Sequence, residues 1–541
     1  MHVQRVQTSV ANASRVSDAP NVTASRALNA LIREPQAPAD AVSEGALPLQ
    51  GVRLAVKDNF LVFNEQAQSA SSILQGVKMP VTSDMAQRAL TDSGATFVGF
   101  TNQDEFGMGS STAFSAYGPA FNPHGDKLSP GGSSGGSAAT VACGDADVAL
   151  GSDTGGSVRQ PAAFCGVIGF KPSRGILPRW GLTSYASSLD SPGLITRTVA
   201  DVAYTTDALR GASAHDATSM AHRNPSCDAQ ALLEAAVASC VPVAPSAPEV
   251  QWASGGGAGG GCPAGSSKLA SSTRLFHDAL RARSEGGVAL DLAGCRVGVL
   301  SEAWVQELTS EAAETWDASL QALAAAGAQL VPVSVPLFKS ALPAYYVLAP
   351  AEASSNLSRY DGLRFAGAAE RQRRAAQPSA SASGASAAAA KLSKLQLQAV
   401  DSRSAGFGAE VQRRIMVGNY VLSANARSAY FDAAVQVRSA LLRAMTRVQT
   451  EHQLDVFVTP TSPTPAWRQS DTVDPVAAFL NDVYTVVPSL CGMPACSVPV
   501  RGGRSSDAGV PQSVQVFAGH GGDKHVLAVA AELELPTQAE R

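Results

Sequence analysis

The stretch Ser129–Gly169 reads SPGGSSGGSAATVACGDADVALGSDTGGSVRQPAAFCGVIG and contains two glycine-rich turns, each with a serine inside it. The first turn carries Ser133, and the second carries Ser157, 24 residues later. Glycine lets backbone N–H groups approach a ligand closely. A serine flanked by glycines therefore presents a hydroxyl beside amide donors. Acyl transfer needs this arrangement, because it requires a nucleophile and a place for the oxyanion.

The segments around the second turn favour a rigid site over solvent-exposed loops of small residues. Ser137–Cys143 is predicted to be a helix of small residues that can pack tightly. Asp147–Leu150 is predicted to be a short apolar strand that leads into the second turn. A strand that ends in a turn bearing a hydroxyl is a rigid support for a nucleophile. On composition alone the solvent-loop alternative stays open.

A different serine motif also fits the first turn. Gly131–Gly135 matches G-x-S-x-G, the nucleophile elbow of α/β-hydrolases, which needs a strand directly before it and a helix after it. The preceding segment, Asn122–Pro130, contains glycine and two prolines, which interrupt strands. The sequence therefore disfavours an elbow.

Lys57 is a better candidate than any histidine for the base that would activate these serines. Histidine is the usual base, but only His124 lies near the motif, and its turn-like surroundings indicate a loop residue. Lys57 closes the predicted strand Val52–Lys57, just before a turn. Burial lowers the pKa of a lysine from about 10.4 by several units, which would yield a neutral amine. The alternative is a lysine whose long stem reaches the surface.

With Lys57 upstream, the glycine- and serine-rich block resembles the amidase signature family, whose members hydrolyse amides with a serine, a cis-serine and a lysine. By this resemblance Ser157 is the nucleophile, Ser133 is the bridging serine and Lys57 is the base. The family's cis peptide bond falls between Gly132 and Ser133. The spacing agrees, with 76 residues from Lys57 to Ser133.

The resemblance implies a proton relay. Neutral Lys57 takes the proton of Ser133, which takes the proton of Ser157 as this serine attacks an amide carbonyl. The leaving group is protonated by the reverse path, and water then clears the acyl-enzyme. Backbone amides of the second turn would stabilise the oxyanion. The residues implied for this oxyanion hole are Thr154, Gly155 and Gly156.

Further stretches resemble one subfamily, the A subunits of glutamyl-tRNA(Gln) amidotransferases. In chain order they are Ser69–Gly76, Thr101–Thr112, Ala351–Gly362, Arg413–Gly418 and Leu480–Tyr484 with Gly492–Pro499. The resemblance extends from about residue 45 to about residue 535. The chain departs from the subfamily at Phe100, where lysine is usual, and at Gln103, where a hydrophobic residue is usual.

The subfamily releases ammonia from glutamine, and the ammonia converts Glu-tRNA(Gln) to Gln-tRNA(Gln) on a partner subunit that uses ATP. The resemblance therefore implies a heterotrimer with B-type and C-type amidotransferase subunits. It places ATP and Mg on the partner and no cofactor in this chain. The misacylated tRNA would be held mainly by the partner.

Glutamine as a substrate needs a cation for its α-carboxylate and an anion for its α-ammonium group. By resemblance Arg414 binds the carboxylate, Asp482 binds the ammonium group, and Tyr345 is a third contact. Alternatives stay open for the first two: Arg414 could lie on a solvated helix face, and Asp482 could cap the following helix. Arg159 is interpreted as a residue that organises the loop.

Two other functions remain as alternatives. A stand-alone amidase that acts on another small amide would not need an amino-acid clamp such as Arg414 and Asp482. A catalytically silent scaffold subunit would not need Lys57, Ser133 and Ser157 together. The intact residues favour the glutamine amidase over both.

Bulk properties limit the class of protein. The chain has 541 residues with 45% hydrophobic content, enough for a large core, and a net charge of −4, which argues against a broad nucleic-acid-binding surface. Its 8 cysteines show neither C-x-x-C pairs nor zinc spacing, which suits a reducing compartment. The longest apolar runs are too short to span a membrane, so no membrane partner is expected.

Local patterns agree with the fold that the resemblance implies, a single large α/β domain with a mixed central β-sheet flanked by α-helices, over residues 41–535. Strands are predicted at Arg296–Leu300, Gln329–Val335 and Asp455–Val458. A helix is predicted from Thr309 to Gly327, with apolar Trp316, Leu320 and Leu323 on one face.

Three segments look atypical. Residues 254–272 are rich in serine and glycine and residues 374–391 in alanine and serine, as in flexible insertions. Residues 1–40 form an atypical N-terminal segment that starts like an organellar transit peptide, rich in arginine and serine and poor in acids. This predicts a mitochondrial location, with chloroplast or cytoplasm as alternatives. The family usually opens with a long helix, and within this segment only Ala24–Arg33 could form it, so either the chain shortens that helix or its start is atypical.

Overall fold

A computed structural model describes residues 23–35, 47–219, 292–362, 364–365, 393–469, 479–504 and 509–534. The two predicted insertions and most of the predicted transit peptide lie outside these residues, so those predictions remain predictions.

One mixed β-sheet of eleven strands runs through the described part of the chain. The strands are β1 (Leu31–Arg33), β2 (Arg53–Lys57), β3 (Thr96–Thr101), β4 (Val148–Asp153), β5 (Ile168–Lys171), β6 (Ser191–Thr196), β7 (Arg296–Leu300), β8 (Gln329–Val333), β9 (Val456–Pro460), β10 (Ala495–Arg504) and β11 (Pro511–Phe517). Their order across the sheet is β1-β3-β2-β4-β6-β5-β10-β11-β9-β7-β8. The parallel pairs are β2–β3, β2–β4, β7–β8 and β7–β9. The other neighbouring pairs are antiparallel, which confirms the predicted mixed sheet.

Helices pack against this sheet and against one another. The α-helices of the described residues are α1 (Thr23–Ala27), α2 (Asp84–Ala86), α3 (Gly135–Ala142), α4 (Arg159–Cys165), α5 (Val199–Leu209), α6 (Ser310–Ala325), α7 (Ala341–Asn356), α8 (Lys394–Gly406), α9 (Ala409–Leu422), α10 (Ala433–Glu451), α11 (Val486–Cys491) and α12 (Asp523–Leu533). The sheet and helices together confirm the α/β class.

Most local predictions are confirmed, with shifted ends. Strand β7 has its predicted bounds, whereas β8 ends two residues early and β9 begins one residue late. Helix α6 begins after Thr309, whose side chain accepts a hydrogen bond from the Ala312 amide. The predicted face is the buried one, since Trp316 and Leu323 are fully buried and the Trp316 indole donates to the Val458 carbonyl at 3.1 Å.

The N-terminal helix α1 is shorter than the stretch Ala24–Arg33 that could form it. The chain leaves the helix at Asn29, which has φ of 51°, and then forms the edge strand β1 beside β3. The Asn29 side-chain amide donates to the carbonyls of Tyr117 and Gly118, 3.0 and 3.2 Å away. Contacts distant in sequence therefore override the local helical pattern.

The functional turns meet at one edge of the sheet because β2 and β4 are parallel neighbours. Adjacent parallel strands end on the same side, so Lys57 at the end of β2 and Asp153 at the end of β4 lie near each other. Helix α3 then packs closely behind them. A side chain at Gly136 would collide with the Asn102 backbone, so only glycine allows this approach.

Gln103, just after β3, is a poorly satisfied core residue. Its side chain is fully buried, and neither Nε2 nor Oε1 has a hydrogen-bond partner among the described residues. Burying a polar group without a partner costs about 1–3 kcal/mol. The departure from the subfamily at this position therefore carries a stability penalty.

We expect Gln103→Leu to raise the free energy of unfolding by about 1–3 kcal/mol, because leucine removes the unsatisfied amide without breaking a side-chain hydrogen bond. Thermal unfolding measures the effect as a higher midpoint. Gln436→Leu, at an exposed position of α10, is the matched control and should give no such gain. A Gln103→Leu protein no more stable than the wild type would contradict this account.

Candidate active site

Lys57 lies at the end of β2, is fully buried, and directs its amine at three serine hydroxyls. The Nζ atom lies 2.7 Å from the Oγ of Ser133, 2.8 Å from that of Ser134 and 2.9 Å from that of Ser152. The alternative of a surface-reaching lysine is therefore wrong. The predicted base and the predicted bridging serine are in direct hydrogen-bond contact.

Burial lowers the pKa of Lys57 to about 7, because a charge is poorly solvated inside the protein. The carboxylates of Asp104, Asp153 and Asp190 act in the opposite direction but do not restore the ordinary value. A substantial fraction of Lys57 is therefore neutral at neutral pH, as a general base must be.

The first turn contains the predicted cis peptide bond between Gly132 and Ser133. Asp104 supports this turn from behind: its amide donates to the Ser133 carbonyl at 3.3 Å, and a side chain at Gly132 would collide with its carboxylate. That carboxylate accepts hydrogen bonds from the backbone amides of Thr112 and Phe114, at 2.9 and 3.1 Å. Asp104 thus connects the loop after β3 to the serine turn.

The second turn follows β4 and is attached to the first. The Ser134 amide donates to the Ser157 carbonyl at 3.1 Å, and Ser157 itself is largely buried, with 9% of its surface exposed. The Thr154 hydroxyl donates to Asp190 at 2.8 Å. The two serines of the predicted triad are therefore carried by turns that are hydrogen-bonded to each other.

Arg159 organises this loop, as predicted. It forms a two-pronged ion pair with Asp153, at 2.9 Å from Nε and 2.8 Å from Nη2, and both side chains are completely buried. It also donates to the Thr485 carbonyl at 2.9 Å and to the Ser489 hydroxyl at 2.8 Å. With its donors engaged inside the protein, Arg159 holds the second turn against α11.

Glycine is required at two positions of the second turn, because side chains from other segments pack directly against its backbone there. A side chain at Gly155 would collide with the aromatic ring of Tyr345, and one at Gly156 would collide with Thr485. Tyr345 therefore packs directly on the backbone of the predicted oxyanion turn.

Arg414 is buried, so its interpretation as a solvated helix face is wrong; only 7% of its side chain is exposed, against 43% for its neighbour Arg413. Its Nε donates to Glu410 at 2.7 Å, and its Nη1 donates to the Tyr185 hydroxyl. The hydrogen bonds that Arg414 makes to described side chains use Nε and Nη1, so Nη2 is the guanidinium nitrogen left for a carboxylate.

Asp482 is also buried, and its carboxylate does not cap the helix that follows. The Oδ2 atom accepts hydrogen bonds from Tyr346 at 2.7 Å and from Ser110 at 3.3 Å. The ring of Tyr346 lies beneath the Arg414 guanidinium, 5.8 Å from it. Tyr346 therefore joins the predicted cation and the predicted anion of the amino-acid clamp.

A cavity of about 310 Å³ opens beside this clamp. Its lining includes Tyr346, Arg414 and Glu410, together with apolar residues of α7, α9 and the segment before α11. Tyr345 and Tyr346 pack edge to face, with ring centroids 5.1 Å apart. The two tyrosines therefore connect the second turn to the clamp and its cavity.

Several residues of the site were not predicted. Ser134 and Ser152 lie within the signature block, but nothing local distinguishes their hydroxyls from those of structural serines. Tyr346 directly follows the predicted Tyr345 in the sequence. Only the packing of α7 decides that Tyr345 contacts the second turn and that Tyr346 contacts Asp482. The predictions for the other candidates hold: His124 lies outside the site and contacts the Cys165 carbonyl at 2.9 Å. Among the described elements, the segment directly before the first turn is not a strand, so the elbow alternative fails.

Across the described ranges, no group of three or more histidine, cysteine, aspartate or glutamate residues is placed to hold a metal ion. No helix in the part of the chain that the structure describes combines the length and apolarity needed to cross a bilayer.

The fold is that of the amidase signature structures. The Amidase family profile matches residues 4–252 and 274–527, and the chain belongs to this family. Native peptide amidase from Stenotrophomonas maltophilia shares the fold, with a TM-score of 0.64 at 23% identity over 95% of this chain and 90% of that chain.

Within the family, similar relatives are A subunits of glutamyl-tRNA(Gln) amidotransferase. The Synechococcus protein is 37% identical over 90% of this chain and 84% of its own length. The Acidobacterium capsulatum protein is 38% identical over 94% of this chain and 88% of its own length. The crystal structure of the Thermotoga maritima subunit superposes with a TM-score of 0.65 at 30% identity, over 97% of this chain and 89% of that chain.

Proposed function

We propose that the chain is a glutamine amidase and the A subunit of a tRNA-dependent amidotransferase, which supplies ammonia for the conversion of Glu-tRNA(Gln) to Gln-tRNA(Gln). The observation that carries the chemistry is the buried Lys57 amine, 2.7 Å from the Ser133 hydroxyl. The names of the relatives and the clamp of Arg414, Tyr346 and Asp482 support the choice of substrate.

The reaction begins with the neutral amine of Lys57. It accepts the Ser133 proton, Ser133 takes the Ser157 proton, and the Ser157 oxygen bonds to the carbonyl carbon of the glutamine side-chain amide. The tetrahedral intermediate places its negative oxygen against the backbone amides of Thr154, Gly155 and Gly156. The C–N bond then breaks, and the proton returns from Lys57 through Ser133 to the nitrogen, which leaves as ammonia.

The second half of the reaction clears the acyl-enzyme. A water molecule gives one proton through Ser133 to Lys57 while its oxygen bonds to the ester carbon. Collapse of this intermediate returns the proton to Ser157 and releases glutamate. The same lysine thus acts first as base and then as acid in each half-reaction, which requires a pKa close to the operating pH.

The clamp would position glutamine for this attack. The Nη2 group of Arg414 would donate to the α-carboxylate, and the carboxylate of Asp482 would accept from the α-ammonium group. Tyr345 packs on Gly155, beside the clamp. Charge-assisted hydrogen bonds of this kind are the strong ones. They are made to parts of the substrate that do not react, so they select an amino acid over a simple amide.

The ammonia would be used on a partner. We propose a B-type subunit that holds the misacylated tRNA and uses ATP with Mg, and a C-type subunit that completes a heterotrimer. Ammonia release from glutamine, measured with and without these partners, tests the assignment. Glutaminase activity that the partners increase supports it. Hydrolysis of simple amides without glutaminase activity would favour a stand-alone amidase, and an unreactive Ser157 in folded protein would favour a scaffold subunit.

We expect Arg414→Ala to raise the KM for glutamine by about 10²-fold, because it removes the cation that would pair with the α-carboxylate. Hydrolysis of a small amide without a carboxylate should fall far less. Arg427→Ala, which removes an equal charge from an exposed position nearby, controls for net charge. Equal losses on both substrates would contradict a carboxylate clamp at Arg414.

A further inference from the structure

The Lys57 amine contacts two hydroxyls that the proposed relay does not use, those of Ser134 and Ser152. Both serines are buried, at 0% and 5% exposure. A charged amine has three N–H donors, whereas a neutral one has two N–H donors and a lone pair. Three hydroxyl oxygens can therefore accept the three N–H groups of the charged lysine. When the lysine is neutral, one hydroxyl must rotate so that it donates its hydrogen to the nitrogen lone pair.

The contacts of Ser134 and Ser152 favour Ser133 as the hydroxyl that turns. The Ser134 hydroxyl donates to the Ser152 carbonyl at 3.3 Å, so it faces Lys57 as an acceptor. The Ser152 oxygen accepts a hydrogen bond from the side-chain amide of Asn59 at 2.9 Å, and it lies 2.9 Å from Nζ. Ser133, the nearest of the three at 2.7 Å, is left to meet the lone pair.

We propose that Ser152, held in place by Asn59, is a positioning residue that accepts one N–H of neutral Lys57 while Ser134 accepts the other. The lone pair of the amine then points at the Ser133 hydroxyl. This inference rests on the proposed function, since it concerns the same proton relay. Neither Ser134 nor Ser152 gains or loses a proton in the reaction.

The reason for such a device is the burial of Lys57. A lysine in water rotates its amine freely, but here the direction of the lone pair decides whether the Ser133 proton has an acceptor in line. Misplacement of a reacting group by about 1 Å can reduce a rate by about 10²-fold. Asn59 is itself 3% exposed, and its side-chain amide donates to the Ser152 hydroxyl at 2.9 Å, which holds that hydroxyl beside the amine.

The test compares Ser152→Ala with Ser152→Thr and with Ser137→Ala. Ser137 is another fully buried serine nearby, whose hydroxyl contacts Thr101 and the Leu150 carbonyl instead of the lysine. Ser152→Ala should lower kcat for glutamine by about 10- to 100-fold with KM nearly unchanged. Ser152→Thr keeps the hydroxyl and should recover most of kcat, and Ser137→Ala should retain it.

The pH profile separates positioning from loosened packing. Ser152→Ala removes an acceptor of the charged amine, so the acidic limb of kcat/KM should move to lower pH. Water entering a loosened site would move the limb to higher pH, because it would relieve the burial of Lys57. The other groups that face Lys57 are the carboxylates of Asp104, Asp153 and Asp190, which all three variants leave in place.

An unchanged kcat in Ser152→Ala, a limb that moves to higher pH, or a threonine variant as slow as the alanine variant would overturn the inference. If Ser152→Ala does not fold, Asn59→Ala is measured instead and should show the same loss and the same shift, more weakly. Loss of activity in Ser157→Ala together with full activity in Ser152→Ala would refute only the positioning role. Full activity in Ser157→Ala would refute the proposed function itself.

Discussion

Ser157→Ala is expected to abolish amide hydrolysis in a protein that still folds. The substitution removes one oxygen, two residues before α4, from a position that is 9% exposed, so the packing around it should persist. Removing the nucleophile of a serine hydrolase lowers kcat by about 10⁴-fold or more, because the covalent route is lost and only binding and the oxyanion donors remain.

Ammonia release from glutamine measures the loss, and thermal unfolding verifies that the variant is folded. Ser133→Ala should also be severely impaired, because the Lys57 amine would no longer reach Ser157 through a hydroxyl. Substantial turnover by folded Ser157→Ala would assign the nucleophile to another residue. The proposed proton relay from Ser157 through Ser133 to Lys57 would then be wrong.

Replacing Lys57 is expected to remove both the activity and its dependence on pH near neutrality. In the wild type, kcat/KM should rise as the pH passes about 7 and then level off, because the amine accepts a proton only when it is uncharged and its pKa is lowered to about 7. Lys57→Met and Lys57→Arg should both lose about 10²- to 10⁴-fold, since methionine has no base and arginine does not release its proton.

A second buried lysine provides the control for this prediction. Burial also lowers the pKa of Lys171 to about 7, but its amine donates to the backbone carbonyls of Pro172 and Met493 and not to serine hydroxyls. Lys171→Met should therefore leave the acidic limb of the profile where it is. An acidic limb that shifts in Lys171→Met, or a wild-type kcat/KM profile that does not rise near pH 7, would contradict Lys57 as the base.

The resemblance to the amidase signature family implies the fold and the roles of the core site residues, and short local segments carry that resemblance. Glycine turns with serines, a lysine after an apolar strand and the period of α6 are all visible in short segments. The length of the N-terminal helix could not be predicted, because Asn29 and β1 are fixed by contacts with residues more than 60 positions away. Local pattern carries no information about such contacts.

Other roles in the site could not be assigned from the sequence, because they depend on which face of a helix is buried and on contacts between distant segments. Arg413 and Arg414 are neighbours of the same type, and only the packing of α9 against α7 decides which of them is buried. Tyr346 joins Arg414 to Asp482, which is 136 residues away from it. Ser152 gains its significance from the amine of Lys57, 95 residues earlier. These relations exist only in the folded chain.

The most direct test of the account is the rate at which a fluorophosphonate modifies the protein as a function of pH, with the adduct located by mass spectrometry. This reagent reports activation of a serine oxygen without requiring partner subunits. The account predicts an adduct on Ser157 whose rate of formation rises through pH about 7 in the wild type and is nearly lost in Lys57→Met. An adduct on a different residue, or labelling of Ser157 at the same rate in Lys57→Met, would contradict it.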